Sequence, residues 1–391
     1  YTEVAERLLA EGHAYHCYCS KEELEEMRTA QRAAGEKPRY DGRCRDRAEP
    51  REGVEPVLRF RNPGEGEVVV EDLVRGRVVF DNSELDDLVM LRSDGMPTYN
   101  FSVVVDDMDM EITHVIRGDD HLNNTPRQMN IYAALGGTPP AYGHVPMILG
   151  QDGAKLSKRH GAVSVLEYRQ EGYLPEAVLN YLVRLGWSHG DQEIFDVDEM
   201  IELFDIADVN KSPSSFNPDK LMWLNQQYIM EANGDYLGLM LSWQLERLGV
   251  SIVGGPDPEA VAEAYRQRAQ TIHEMAQSAM FFYQDVHGYH DKSARKHLSP
   301  AALPALKTVR DGLFMSERWE ASALHDVVQA TAEQLGLKLG KVAQPIRVAV
   351  SGGPVSPPID VTLELLGRDR VLDRLDRAIH HAEHVASEGV A

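Results

Sequence analysis

The chain has 391 residues, 43% of them hydrophobic and 26% charged, with 62 acidic residues against 40 basic ones and a formal net charge of −22. That length carries two or three domains with their own cores. It holds no apolar run of about 18 residues for a membrane helix, and its three cysteines are too few for a disulfide scaffold. The acidity excludes non-specific nucleic-acid binding but leaves room for a local basic strip that takes RNA; with no signal peptide in view, the expected location is the cytoplasm.

Taken in chain order, Tyr1 to Leu9 reads as an amphipathic helix already under way with no Met before it, so an N-terminal part is expected to be missing. Residues 1–92 are predicted to be α+β, with β-rich runs Val57–Phe60, Val68–Val70 and Val78–Phe80 separated by Pro-Gly or Arg-Gly turns. Lys37, Arg39, Arg43, Arg45, Arg47 and Arg51 form one candidate RNA strip; Lys338, Lys341 and Arg347 form another. Cys17-x-Cys19 and Cys44-x-Asp46 make a candidate metal group, since zinc favours thiolate and accepts carboxylate. The alternative is a loop of unmetallated thiols held by packing.

Residues 93–162 have α/β character. Ile112–Ile116 is predicted as a buried strand and Arg117–His121 as the loop after it. Thr125 is the predicted N-cap of a helix with Pro126 at its first position, ending at Leu135 before Gly136-Gly137. Val145–Leu149 is the next predicted strand. Strand, helix, strand is half of a doubly wound nucleotide fold, whose ligands sit at the carboxyl ends of strands. Arg117, Asp120 and the loop Gly153–Gly161 would lie there. That loop packs Lys155, Ser157, Lys158 and Arg159 between glycines, and mobile ammonium charges with a planar guanidinium suit a triphosphate. It is not a Walker loop, which needs Gly-x-x-x-x-Gly-Lys-Ser/Thr; the alternative is a solvated basic loop.

Helices are predicted from Ser164 onward. Ser164-x-x-Glu167 has capping-box spacing. Pro175 opens a helix with Val178, Leu179, Leu182 and Leu185 as its apolar face, and residues 235–391 form amphipathic helices whose Leu237, Leu241, Leu245 and Leu248 are core.

The combination of Ala154-Lys155-Leu156-Ser157-Lys158-Arg159 with Gly95–Asn100, Val115–His121, Asn124–Gln128 and Gly186–Gly190 resembles bacterial glutamyl-tRNA synthetase, a class I aminoacyl-tRNA synthetase, over essentially the whole chain. The resemblance implies a glutamate–tRNA ligase. Glutamate attacks the α-phosphate of ATP, held with magnesium, and the adenylate passes its glutamyl group to the terminal adenosine of tRNA(Glu). It implies the second half of a Rossmann catalytic domain (93–162), preceded by an α+β acceptor-end insertion (1–92) and followed by a helical stem-contact region (163–232) and an α-helical anticodon-binding domain (233–391). Lys155, Ser157, Lys158 and Arg159 would be catalytic. Asp120, His121, Met147, Ile148 and Leu149 would join the two lysines in binding ATP. Tyr99 and Arg117 would bind glutamate, Arg117 through a bidentate fork on its side-chain carboxylate. Lys341 and Arg347 would touch tRNA, and Cys17, Cys19, Cys44 and Asp46 would hold zinc, as in some members. The protein is expected to be a monomer in the cytoplasm, without a membrane.

The family's His-x-Gly-His signature is absent, so the chain as it stands is expected not to make adenylate. A glutaminyl enzyme would end in β-barrels and the short glutamyl-queuosine relative would lack the C-terminal helices. A non-catalytic tRNA-binding module is the other reading.

Overall fold

The computed structural model describes residues 1–47, 50–157, 159 and 164–388, with side chains through 385. The chain divides into two compact units, 1–156 with 183–216, and 157–182 with 217–391.

In the first unit, α1 (Thr2–Ala10) leads into β1 (Ala14–Cys17) and α2 (Lys21–Ala33). A capping box between Ser20 and Glu23 starts α2. Strands β2 (Val57–Phe60) and β5 (Val89–Leu91) join β1 in an antiparallel sheet of order β1-β2-β5. Between them β3 (Glu67–Asp72) and β4 (Gly76–Asp81) form a separate antiparallel hairpin. The period of two along β3 puts Val68, Val70 and Asp72 on one buried face. The interior therefore receives a carboxylate at the end of an apolar row. Helices α3 (Tyr99–Asp109) and α4 (Thr125–Ala134) pack Phe101, Val104, Val105, Ile131 and Tyr132 against Leu8, Leu58, Phe60 and Met90.

The predicted strands near the site shift. Ile112–Ile116 is not a buried strand: β6 runs His114–Gly118, and Ile116 is 55% exposed. Among the described residues β6 has a single strand neighbour, β7 (Ala141–Val145), which pairs with it in parallel. Val145–Leu149 does not continue as one strand, because Pro146 has no N–H for a ladder. Beyond it β8 (Ile148–Leu149) pairs in parallel with β9 (Ser214–Ser215) in another sheet. Thr125 is not the N-cap. Asn124 holds that position, Pro126 is the second helical residue, and the Thr125 hydroxyl turns to the site instead.

In the second unit Ser164 is the N-cap of α5 (Val165–Gln170), but its side chain makes no capping bond, so the predicted box does not form. The box that does form in this region joins Asp196 to Glu199 at α7 (Val197–Leu203), in the first unit. On α6 (Pro175–Gly186), Leu179 is 51% exposed while Ala177, Val178, Asn180 and Tyr181 are buried. The predicted leucine face is displaced because buried polar groups find partners, Asn180 accepting from Tyr228 at 2.8 Å. Further on come α8 (Pro218–Glu231), α9 (Gly234–Arg247), α10 (Pro258–Tyr265), α11 (Ile272–Tyr283), α12 (Asp291–His297), α13 (Leu303–Met315), α14 (Ala321–Gln334), α15 (Leu339–Ser351), α16 (Ile359–Leu366) and α17 (Arg368–Glu388). Leu237, Leu241 and Leu245 are buried in their common core, as their spacing predicts, and Leu248 packs on its edge. Full burial of such a side chain contributes about 2 kcal/mol.

Basic residues of α17 close other helices. Arg370, Arg374 and Arg377 share one face of α17, and each donates to backbone carbonyls. Arg374 reaches Val350 O at 2.5 Å near the end of α15, and Phe281 O at 2.9 Å and Gln284 O at 2.8 Å at the end of α11. Arg370 bonds Phe282 O and Arg377 bonds Val286 O. Carbonyls left over at helix ends carry partial negative charge, which a guanidinium complements.

Candidate active site

Arg117 sits near the end of β6, and its guanidinium points inward. Nε donates to His144 Nε2 at 3.2 Å, and one terminal nitrogen donates to Thr125 Oγ1 at 2.8 Å and Gln128 Oε1 at 2.9 Å. The other terminal nitrogen donates to the Tyr99 hydroxyl at 3.4 Å. Arg117 makes no strand-end ion pair with the neighbouring Asp119 or Asp120 among the described residues. Asp119 pairs with Arg75, and Asp120 accepts from Lys155 Nζ at 3.0 Å. Behind Arg117, His144 Nδ1 is 2.5 Å from Asp72 Oδ2, and both side chains are fully buried. Asp72 Oδ1 also accepts the backbone N–H groups of Val74, Arg75 and His144.

The charge states follow from these partners. Because Arg117 donates to Nε2, that nitrogen accepts and His144 is a neutral imidazole carrying its proton on Nδ1. Burial lowers the His144 pKa from its ordinary 6.5, against the opposing pull of Asp72. Burial pushes Asp72 up, but the backbone N–H groups and His144 together hold it below the ordinary carboxylate value. Both folded pKa values are depressed, so the unfolded chain binds more protons as pH falls, and stability falls with it. The His144 share is lost first, starting near 6.5, and the Asp72 share further into acid. Thermal melts of the parent should therefore drop in midpoint below about pH 6.5. In His144→Gln that first drop should flatten; an unchanged profile would count against the neutral imidazole.

Gly118 follows Arg117 and admits a close approach. A methyl there would come 2.6 Å from Asp120 Oδ1 and 3.8 Å from Met147 Sδ, so Asp120 and Met147 crowd the same strand end. His121 stands beside Tyr99, with ring centroids 5.6 Å apart and Nδ1 3.3 Å from the hydroxyl. From Ile148 and Leu149 the chain turns at Gly153, whose φ of +74° suits glycine, and returns so that Lys155 bridges Leu149 and Leu156 bonds Ile148. This hairpin carries Lys155 back to Asp120. Tyr99, Arg117, Asp120, His121, Met147, Ile148, Leu149 and Lys155 all belong to the first unit, whereas Ser157 and Arg159 belong to the second. Lys158 lies outside the described residues.

The thiols converge. The sulfurs of Cys17, Cys19 and Cys44 lie within 4.8 Å of one another, Cys19 to Cys44 at 3.6 Å. Two thiolates on a tetrahedral zinc stand about 3.8 Å apart, so the donor set fits such an ion. Asp46 is not in the cluster. Its side chain is 93% exposed and faces Arg61. The fourth polar group is Tyr40, whose hydroxyl is 3.3 Å from Cys17 Sγ and 3.9 Å from Cys19 Sγ. Sequence spacing did not select it. Burial and the neighbouring thiols push Cys19 up to about 12.

The first basic strip is largely consumed internally. Arg45 pairs with buried Asp87 at 2.5 Å, Arg51 with Glu23 at 2.7 Å, Arg43 with Asp41 at 2.8 Å, and Arg39 donates to Ser83 O. Among the described residues Lys37 and Arg47 are the members of the strip without such a partner. In the second unit Lys341 is exposed near the start of α15. Arg347 is not a solvated helix-end residue. It is half-buried in mid-α15, donating to Ser356 Oγ at 3.0 Å and Gln344 Oε1 at 2.6 Å. Arg268, which sequence reading passed over, donates to Ser356 O at 2.9 Å. Burial, reinforced by the Arg268 charge, lowers the Arg347 pKa.

Residues 1–223 match the family described as class I tRNA synthetases (E and Q), catalytic domain, and residues 223–379 match an anticodon-binding domain. The chain belongs to the class I glutamate and glutamine tRNA synthetase family. Similar relatives within that family include glutamate–tRNA ligases. Glutamate–tRNA ligase 1 of Alkalilimnicola ehrlichii is 62% identical over 388 residues, covering 99% of this chain and 82% of that protein. Glutamate–tRNA ligase 1 of Nitrosococcus oceani is 60% identical over 384 residues, covering 98% and 82%. The crystal structure of a glutamate tRNA ligase from Elizabethkingia meningosepticum in complex with its amino acid superposes with a TM-score of 0.76 at 28% identity, covering 97% of this chain and 82% of that one.

Proposed function

We propose that this chain carries the glutamate–tRNA ligase activity of its relatives: ATP-dependent activation of L-glutamate and transfer of the glutamyl group to tRNA(Glu) for protein synthesis. The observation that carries this reading is the guanidinium of Arg117, fixed on His144 near the end of a parallel strand pair, with Asp120 in the turn just beyond holding Lys155. A fixed cation suits the side-chain carboxylate of glutamate, and Tyr99 adds its hydroxyl. The fork is not free for the bidentate grip expected from sequence, since Nε and one terminal nitrogen already serve buried acceptors. The carboxylate is met by the terminal nitrogen that faces Tyr99. Asp120, His121, Met147, Ile148 and Leu149 line the adenosine side, and Lys155, Ser157, Lys158 and Arg159 act on the phosphates. Phosphorus gathers charge as pyrophosphate leaves, and positioned cations stabilise that charge; magnesium, held with ATP, shares it.

In this reading residues 93–162 are the second half of a Rossmann catalytic domain, 1–92 an acceptor-end insertion, 163–232 a stem-contact region and 233–391 the anticodon-binding domain. Arg347 and Lys341 would meet the anticodon arm, with Arg268 beside Arg347 as a second guanidinium for unpaired bases. The enzyme would work as a monomer in the cytoplasm. Among the described residues no helix is long and apolar enough to cross a membrane. The test is aminoacylation of tRNA(Glu) by the whole gene product with glutamate and glutamine in parallel. Charging with glutamate alone is expected; equal use of glutamine would remove the role given to Arg117.

Zinc at Cys17, Cys19 and Cys44, with Tyr40 as the fourth neighbour, would pin the loop that approaches the acceptor end. Binding would displace the thiol protons, so affinity would rise with pH. Metal analysis should find one zinc per chain, lost in Cys19→Ser and kept in Asp46→Ala. Zinc lost in Asp46→Ala would restore the carboxylate as ligand.

A further inference from the structure

We propose that Asp72 and His144 are positioning residues that set glutamate recognition by holding Arg117 in one orientation. This rests on the reading of Arg117 as the partner of the glutamate side chain. A guanidinium has five N–H donors in a rigid fork. Here one serves His144 Nε2 at 3.2 Å, and two leave a single terminal nitrogen for Thr125 Oγ1 at 2.8 Å and Gln128 Oε1 at 2.9 Å. Only the nitrogen facing the exposed Tyr99 hydroxyl stays available to a ligand. The substrate therefore meets donors whose direction was fixed before it arrived, which is the preorganisation that specificity needs.

The direction of every bond in this network depends on one proton. Nε2 of His144 must accept, from Arg117 and also from the Thr125 hydroxyl at 3.0 Å. It can do so only while the ring proton stays on Nδ1. Asp72 keeps it there, because Oδ2 accepts from Nδ1 at 2.5 Å while Oδ1 is held by three backbone N–H groups. Two features of the sequence supply the pair. Period-two alternation along β3 turns Asp72 to the interior, and Arg117 and His144 are register partners across β6 and β7. Replacing Asp72 by asparagine would present an amide N–H to Nδ1. The ring would then carry its proton on Nε2, donor facing donor at Arg117, and the guanidinium would be displaced from the ligand side.

The experiment is steady-state pyrophosphate exchange by the whole gene product, with nitrogen NMR of the His144 ring. In the parent the ring proton is expected on Nδ1. In Asp72→Asn it is expected on Nε2, with KM for glutamate raised at least 10-fold and KM for ATP within twofold. His144→Leu should raise the glutamate KM likewise, and His144→Gln, which can still accept from Arg117, should recover part of the loss. Thr125→Val, nearly isosteric, gives a second reading should the Asp72 variant not fold; a several-fold rise in glutamate KM is expected. A glutamate KM within twofold of the parent in folded His144→Leu and Thr125→Val, or an ATP KM that rises in parallel, would overturn the proposal. Arg117→Ala separates the two levels. If it leaves glutamate KM unchanged, the reading of Arg117 fails and this inference with it; if it raises KM while the supporting variants do not, the inference alone fails.

Discussion

Arg117→Ala is expected to lower kcat/KM for glutamate by about 30- to 5,000-fold, with the KM for ATP unmoved. The range is what truncating one side of a desolvated, hydrogen-bonded charge pair costs, roughly 2–5 kcal/mol. Two losses add. The substrate carboxylate would lose its cation, and His144, Thr125 and Gln128 would lose the donor that each now accepts. Arg117→Lys should recover little. An ammonium is a point charge that cannot span His144, Thr125 and Gln128 at once while still offering a proton to the ligand. Parallel titrations of glutamate and ATP in pyrophosphate exchange check this. A fall shared equally between the two substrates would mean a general loss of structure rather than of glutamate binding.

Arg374→Met is expected to destabilise the helical unit by about 3 kcal/mol. Hydrogen bonds to a charged group contribute roughly 1.5–3 kcal/mol each, and Arg374 makes three, to Val350, Phe281 and Gln284 carbonyls. Against this stands the cost of burying the cation. The residue is 2% exposed, and burial pushes its pKa down from 12.5 to about 10, a cost of roughly 3 kcal/mol to the charged form. The bonds still win, because removing the guanidinium leaves carbonyls near the ends of two helices without a donor. Urea unfolding followed by helical circular dichroism measures the change. A midpoint equal to the parent's would show that the carbonyls find water instead. Arg370→Met should cost less, since its bonds reach two carbonyls, those of Phe282 and Gly254, rather than three, and its guanidinium lies nearer solvent.

Much of the organisation was legible in residue order. The strand Val57–Phe60 follows from its β-rich composition, and the buried leucines of α9 from their helical spacing. The errors have identifiable physical origins. Pro146 interrupts an apolar run that hydrophobicity alone reads as continuous. Leu179 is left outside because Asn180 and Tyr181 satisfy their polar groups within the unit. Thr125 gives up a capping bond for one to Arg117. At α6 and at Thr125 a hydrogen bond made in the folded chain outweighs the nearest local preference; at Pro146 the missing N–H is itself the limit.

Sequence by itself determined the chemistry on offer: a lysine-rich loop, an arginine at a strand end, three thiols at metal spacing, and a family likeness that the comparisons bear out. Tertiary structure alone decided how those groups are used. It turned the Arg117 fork inward onto His144 and Asp72, spent most of the Lys37–Arg51 strip on internal pairs, exchanged Asp46 for Tyr40 beside the thiols, and set Arg268 next to Arg347. The reason is that a side chain's charge and hydrogen-bonding capacity are fixed by its identity, whereas burial and partners depend on which distant segments the fold brings within about 3 Å.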